Sequence, residues 1–391
     1  MLTERIGRIT PSATLAMTAK ASELRLAGKK VINLSVGEPD FPTPENIRNA
    51  GKFAIDNGIT RYTPGGGTLE LKKAASKKMF RDNSLHYEPS QILISSGGKH
   101  SLFNACQALF QSGDEVIIFS PYWVSFPDFV SVTGAKPIFV NTNPREQYEP
   151  VWDDLKLKIS SKTKGIIINS PSNPTGGVWS DEAVIKVLEF ANKIDAWVFS
   201  DECYEQLTYD KPYKSTATLV DNTDKILTFQ SCSKTYAMTG WRIGYTAGNT
   251  EVIEGMGKLQ GQSTSCPNSI AQEAAIEALT GDQSAVASMR SVFKVRRDYI
   301  VNRLNKMNGV NCDIPGGAFY VFPDFKAIIQ NNNLIKCSDD LCMYLLEKKS
   351  LVSVSGKAFG SNGNIRFSYA ASDKDLEQAM NLVEESLNEL Q

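Results

Sequence analysis

Five short apolar runs recur through the middle of this chain: EVIIFS (115–120), KPIFV (136–140), KGIIINS (164–170), AWVFSD (196–201) and KILTFQS (225–231). Each is rich in Ile, Val or Phe, as strands buried on both faces are. Helical patterns lie between some of them. The clearest begins at Ser180, an N-cap hydroxyl, with Asp181 and Glu182 in its first turn and apolar residues at helical spacing through AVIKVLEFANKID. Strand and helix in alternation imply an α/β fold with a mostly parallel central sheet flanked by helices. In such a sheet the C-terminal strand ends share one edge, and ligands bind along it.

The end of the chain reads differently. SMRSVFKVRRDYIVNRLNKM (288–307) predicts a long helix and DKDLEQAMNLVEESLNEL (373–390) a final one. Between them, FYVFPDF (319–325), LVSVSG (351–356) and NIRFSYA (364–370) predict strands. A chain of 391 residues is too long for one compact core, so two domains are expected. The divisions are residues 1–44, an N-terminal arm and part of the small domain; 45–284, a large domain; and 285–391, a C-terminal small α+β domain.

Composition excludes several classes. Net charge is −1, which gives no reason to expect a nucleic-acid partner or an anionic membrane surface. No apolar stretch approaches the ~20 residues that span a bilayer, and MLTERIGRITPS has no apolar run of the kind a signal peptide needs. The seven cysteines are scattered, odd in number and without a C-x-x-C pair, as in a cytoplasmic protein with reduced thiols. Two histidines, His86 and His100, cannot build a His-rich metal site, and no metal is expected. His100 beside Ser101 reads as a hydrogen-bonded structural histidine rather than a triad member. SGGKHS is not a phosphate loop of the G-x-x-x-x-G-K type, because Leu93 stands where its first glycine belongs. GGG at 65–67 is too weak to mark a dinucleotide site.

The residues that follow each strand carry the chemistry. SPYW ends at Trp123, PSNPTG contains Asn173, DECY contains Asp201 and Tyr204, and SCSK ends at Lys234. A ring, an amide, a carboxylate, a phenol and a lysine therefore converge on one crevice. A lysine amine can form a Schiff base with an aldehyde cofactor. A carboxylate can keep a pyridine nitrogen protonated, a phenol and an amide can bond a ring oxygen, and an indole can stack on a flat ring. Ser231 and Arg242, either side of the lysine, suit a phosphate. The set describes pyridoxal 5′-phosphate.

At this point the chain resembles the class I aminotransferases of the fold-type I pyridoxal phosphate enzymes, most of all their bacterial aspartate aminotransferase branch. The matching segments are SVGEPDF (35–41), RYTPGGGTLELK (61–72), SSGGKHSLFNA (95–105), GDEVIIFSPYWVSFPD (113–128), NSPSNPTG (169–176), SDECYEQL (200–207), SCSKTYAMTGWRIGY (231–245), PGGAFY (315–320) and NIRFSYA (364–370), in the family's order. The resemblance implies a large cofactor-binding domain over 45–284 and a ping-pong exchange of amino groups between amino acids and 2-oxo acids. It makes Lys234 the Schiff-base lysine and proton shuttle, Asp201 the partner of the pyridine nitrogen, and Tyr204 and Asn173 the partners of the ring oxygen. Trp123 matches the stacking ring, and Ser231, Arg242 and Gly98, with Lys99 beside it, match the phosphate side. Tyr62 matches a tyrosine that reaches the phosphate from a neighbouring subunit, which implies a homodimer with shared sites. Arg366 matches the grip on the substrate α-carboxylate, and Gly37 a substrate-side backbone turn.

Specificity rests on a second cation. The region where one branch of the family carries an arginine aligns near GQSTSCPN (261–268), which has none. Lys99 is therefore the expected partner of a distal substrate carboxylate, as the bacterial branch's GGK turn implies. Ser12 and Thr14 are further candidates for substrate contact, and Ala13 stands near where prephenate-using relatives favour lysine. The rival readings are an aromatic, kynurenine or prephenate aminotransferase, a C–S lyase and an aminocyclopropane-carboxylate synthase. A nicotinamide dehydrogenase lacks its G-x-G-x-x-G, and a ligand-sensing regulator lacks room for a DNA-binding segment before residue 35.

Overall fold

The computed structural model describes every residue except Met1, Pro11, Ser12, Ala27 and Gln391, and omits the side chains of Ala13, Thr14, Leu15, Ala16 and Thr18. Ser12 and the Thr14 side chain, the further substrate candidates, thus lie outside the described residues. In chain order the strands are β1 (Ile32–Asn33), β2 (Ile92–Ser95), β3 (Glu115–Ser120), β4 (Lys136–Asn143), β5 (Glu149–Pro150), β6 (Thr163–Asn169), β7 (Trp197–Asp201), β8 (Ile226–Ser231), β9 (Gly244–Ala247), β10 (Tyr320–Val321), β11 (Leu351–Val352), β12 (Val354–Ser355) and β13 (Ile365–Ser368).

Eight of them form one sheet in the order β2-β9-β8-β7-β6-β3-β4-β5. The five predicted runs are its parallel block, from β4 through β3, β6 and β7 to β8. β9 runs antiparallel to both β2 and β8, and β5 runs antiparallel to β4. Alternate side chains explain why the runs are apolar throughout. Ile117, Ile166, Ile168 and Val198 enter one core cluster, while Val116, Ile118, Ile167 and Phe199 enter another. Both faces are covered, so period-two polarity is absent. The helix Asp181–Lys193 begins as its sequence predicts, with Ser180 Oγ accepting from the Ala183 amide at 3.2 Å. It buries Ala183, Val184, Val187, Leu188 and Ala191 on one face.

Register sets the functional edge. Asn169 at the end of β6 pairs with Asp201 at the end of β7, and Ser231 at the end of β8 pairs with Gly244 of β9.

The C-terminal segments form a three-stranded antiparallel sheet, β10-β13-β12. β1 pairs in parallel with β11, Ile32 opposite Leu351, so the chain's start meets its last third. Ile32 and Leu34 share a core cluster with Ile300, Phe319, Phe367 and Met380, and Tyr204 and Leu207 belong to it too. The long helices span Ser284–Asn305 and Asp373–Leu390. All three strands expected here are shorter than their sequence suggests, NIRFSYA being a strand only over Ile365–Ser368. FYVFPDF is extended only over Tyr320–Val321, and Pro323 beyond it has no amide to give a ladder. LVSVSG divides at Ser353, because β11 pairs with β1 whereas β12 pairs with β13. Among the described residues no helix is long and apolar enough to cross a membrane.

Candidate active site

A cavity of about 540 Å³ opens where β6, β7 and β8 end. Gly37, Gly98, Lys99, Trp123, Asn173, Asp201, Tyr204, Ser231, Lys234, Arg242 and Arg366 all line it. Tyr62 does not; its side chain stands 91 % exposed at the surface.

The ends of β7 and β6 supply an acid and amides. Asp201 is buried, and its Oδ1 accepts from the Cys203 amide at 3.2 Å. No ion pair reaches it among the described residues, and burial raises its carboxyl to about 6. Tyr204 OH meets Tyr320 OH at 2.8 Å, and burial pushes the Tyr204 phenol well above its usual range.

Lys234 lies in the short helix Cys232–Thr235, capped by Ser231 Oγ, which accepts from the Ser233 amide. Its half-buried Nζ donates to the Gly37 carbonyl at 2.5 Å. Desolvation lowers its pKa; Cys203 and the Glu38 carboxylate oppose this, and the Arg242 and Arg366 cations add to it. Gly37 is glycine for a steric reason: a Cβ there would sit 2.9 Å from Tyr320 Oη.

Beside Ser231 the helix Gly98–Leu109 begins, with its first amides free of intrahelical partners. Gly97 caps it at φ 90°, where a Cβ would lie 2.3 Å from Arg242 Nη2. Arg242 holds a left-handed backbone, φ 60° and ψ 54°, uncommon for a long side chain. Its Nη1 donates to the Thr239 carbonyl at 2.8 Å. Ser231, Arg242 and the helix N-terminus thus form an anion cradle.

Arg366, on β13, is 2 % exposed. Its Nη1 donates to Asn173 Oδ1 at 2.8 Å and its Nη2 to the Ser35 carbonyl at 2.6 Å. Its guanidinium stacks 4.6 Å from the Tyr320 ring and 5.0 Å from that of Phe359. Nε has no partner, and no carboxylate pairs with this cation among the described residues. Lys99 also lines the cavity, its Nζ 5.0 Å from the Trp123 ring centroid. Phe126 and Phe129 pack edge-on against that indole at 5.3 and 5.7 Å. Burial and the Arg242 charge lower the Lys99 pKa.

Residues 29–383 match the family model described as "Aminotransferase class I and II". The chain belongs to the class I and II aminotransferases. Its relatives include an aspartate/prephenate aminotransferase of Cereibacter sphaeroides, 44% identical over 97% of this chain and 96% of that protein. An aspartate aminotransferase of Bacillus subtilis is 42% identical over 97% of each. Among solved structures, the aspartate aminotransferase of Rhizobium meliloti superposes with a TM-score of 0.95 at 38% identity, covering 100% of each chain. That of Thermus thermophilus, solved with maleate, gives 0.94 at 37% identity over 99% of each.

This family implies pyridoxal 5′-phosphate, and the pocket of this aminotransferase fits it. Among the described residues Asp201 and Lys234 form no salt bridge, and with the anion cradle of Ser231, Arg242 and the helix N-terminus they line one cavity, each matching one group of that molecule. Sequence reasoning gave no role to Tyr320, which bonds Tyr204, shields Arg366 and bars a side chain at residue 37. Its place at the end of PGGAFY was the available signal. Glu38, Asn169, Cys203 and Ser233 also line the cavity, and Thr239 Oγ1 donates to Glu38 Oε2 at 2.8 Å.

Proposed function

We propose that this aminotransferase is an aspartate aminotransferase. It exchanges the amino group between L-aspartate or L-glutamate and 2-oxoglutarate or oxaloacetate in two half-reactions. The observation that carries this reading is the buried guanidinium of Arg366, which has no carboxylate partner among the described residues and lines the same cavity as Lys99. With Lys234 and Arg242 assigned to the cofactor, Arg366 and Lys99 are two further cations of one pocket, which suits a dicarboxylate. The names of the Bacillus and Rhizobium relatives, and the maleate of the Thermus structure, support it.

Bound pyridoxal 5′-phosphate supplies a carbonyl carbon that exchanges the amino group and a ring that accepts the electron pair left at the substrate Cα. Asp201 would hold its ring nitrogen, Tyr204 and Asn173 its ring oxygen, and Ser231, Arg242 and the Gly98 amide its phosphate. Trp123 would stack on the ring. Tyr62 would complete the phosphate site of a second copy, in a homodimer. Arg366 grips the α-carboxylate through two parallel N–H bonds, with Asn173 and Ser35 fixing its plane. Lys99 binds the distal carboxylate. Lys234, whose pKa burial lowers, has more free amine at neutral pH than an exposed lysine, so Nζ can take the Cα proton and later return it. Residues 45–284 are the domain that carries the sheet, and the arm over 1–44 joins the unit at 285–391 through β1. Seven free cysteines suit a reducing cytoplasm.

The test is an absorption spectrum of the purified protein with cofactor, titrated with aspartate alone. The yellow lysine-bound band is expected to give way to the aminated cofactor and to return on adding 2-oxoglutarate. A band that ignores aspartate but answers another amino acid overturns the specificity. Prephenate as an added acceptor is a second reading, favoured by the name of the Cereibacter relative, and the same spectrum reports it.

A further inference from the structure

Residues 201–205 read Asp-Glu-Cys-Tyr-Glu, and two of them do not face the cavity. Glu202 and Glu205 turn into the core beneath it, at 0 % and 6 % exposure. Glu202 accepts from Ser215 Oγ at 2.7 Å, Ser200 Oγ at 2.9 Å, the Thr216 amide at 3.1 Å and Gln230 Nε2 at 3.3 Å. Glu205 is salt-bridged to Lys78, a 1 % exposed lysine of the helix Leu69–Asn83, and also accepts from Asn83 and Gln206. Gln230 joins the halves. Its Oε1 accepts from Lys78 Nζ and from Tyr245 OH, both at 2.9 Å, while Nε2 reaches Glu202. Gln230 directly precedes Ser231, so the network underlies both the strand end with Asp201 and the one with the anion cradle.

Such a network is costly to bury and is not needed for packing; apolar residues of like volume often do as well. Its charges are two carboxylates against one lysine. Asp82 Oδ2 lies 3.9 Å from Lys78 but is itself paired with Arg81. The other titratable groups around it are Tyr87, Tyr213, Tyr236, Tyr245 and Cys232, all pushed up by burial and neutral near pH 7.

We propose that Lys78 is a positioning residue: with Glu205 and Gln230 it holds the strand ends that present Asp201 and Ser231, and it sets the net negative charge beneath them. This rests on the cofactor reading above. Negative charge at that depth favours the protonated, yellow form of the lysine-bound cofactor.

The holoenzyme is titrated for the pH midpoint of that band, and the cofactor dissociation constant is measured alongside. Glu205→Gln removes a negative charge and is expected to lower the midpoint by on the order of half a pH unit. Lys78→Met removes the positive charge and is expected to raise it. Burial raises Glu202 to about 7 and the Glu205 charge acts in the same direction, so Glu202 takes up a proton when Lys78 is lost and releases one when Glu205 is lost, and both shifts are smaller than a full unit charge would give. The double variant K78M/E205Q restores the charge sum and returns the midpoint to the wild-type value. Mere loosening of the core moves both single variants the same way or neither, and either result overturns the proposal. Should K78M not fold, E205Q and the double variant decide it: an E205Q midpoint equal to wild type overturns it. A wild-type protein that forms no yellow band overturns the cofactor reading as well, whereas unchanged midpoints beside a yellow wild type overturn this inference alone.

Discussion

Replacing Arg366 with leucine separates binding from folding. The guanidinium is 2 % exposed and has no carboxylate partner among the described residues. A substrate carboxylate would take two charge-assisted hydrogen bonds from it, each worth about 1.5–3 kcal/mol. Their loss is ~3–6 kcal/mol, a fall of about 10²- to 10⁴-fold in kcat/KM for aspartate. Stability moves far less, because two effects oppose. Asn173 Oδ1 and the Ser35 carbonyl lose donors, at about 1–3 kcal/mol each. Removing an unpaired buried cation returns several kcal/mol. R366L is therefore expected to keep its melting temperature within a few degrees and its yellow cofactor band, yet transaminate poorly. Steady-state kinetics, the spectrum and a thermal melt together check this. A kcat/KM within threefold of wild type refutes the reasoning, and so does a loss of activity that merely follows loss of the cofactor.

Three further outcomes are expected. Lys99→Ser raises KM for aspartate far more than for an aromatic amino acid in steady-state assays; equal effects contradict the distal-carboxylate role. Asp201→Asn acts oppositely in apo and holo protein. In apo protein burial raises the carboxyl from 3.8 to about 6, so its contribution to stability is present at low pH and lost as pH rises through 6. Apo D201N is then more stable than apo wild type by up to about 3 kcal/mol at pH 8 and level with it near pH 4, while holo D201N binds cofactor more weakly; denaturant melts at both pH values decide. Ser180→Ala removes the cap on the Ala183 amide and lowers stability by about 1 kcal/mol without altering KM, since it lies outside the cavity.

The parallel block was legible because covering both sheet faces leaves a strong, unbroken apolar signal. β2 and β9 left none: each is four residues long, and Ser95, Gly244 and Thr246 interrupt them. Only pairing with each other and with β8 makes them strands. The site was legible where one residue type follows a strand, as Asp201 and Lys234 do. It was illegible where two distant segments must meet, as Tyr204 and Tyr320 do across 116 positions. Lys78 is the sharpest case. In KKAASKKMFRD residue type alone favours an exposed lysine and a buried phenylalanine at Phe80. The structure reverses them, with Lys78 1 % and Phe80 56 % exposed, because Glu205 and Gln230 wait beneath that turn.

Two kinds of buried polar group lie a few residues apart here, and the difference between them locates the chemistry. Glu202, Glu205 and Gln230 each have multiple hydrogen-bond partners, which is what a core demands of polar atoms it keeps. Among the described residues Asp201 has one amide and no salt bridge, Lys234 one carbonyl and no salt bridge, and Arg366 an idle Nε. Folding alone gives no reason to retain those three, since each is a desolvated charge that an apolar residue would replace at a gain. Under the proposed function their partners come from outside the chain, an anion for Arg366 and a cationic ring nitrogen for Asp201. The satisfied layer beneath is what keeps the unsatisfied one in place until they arrive.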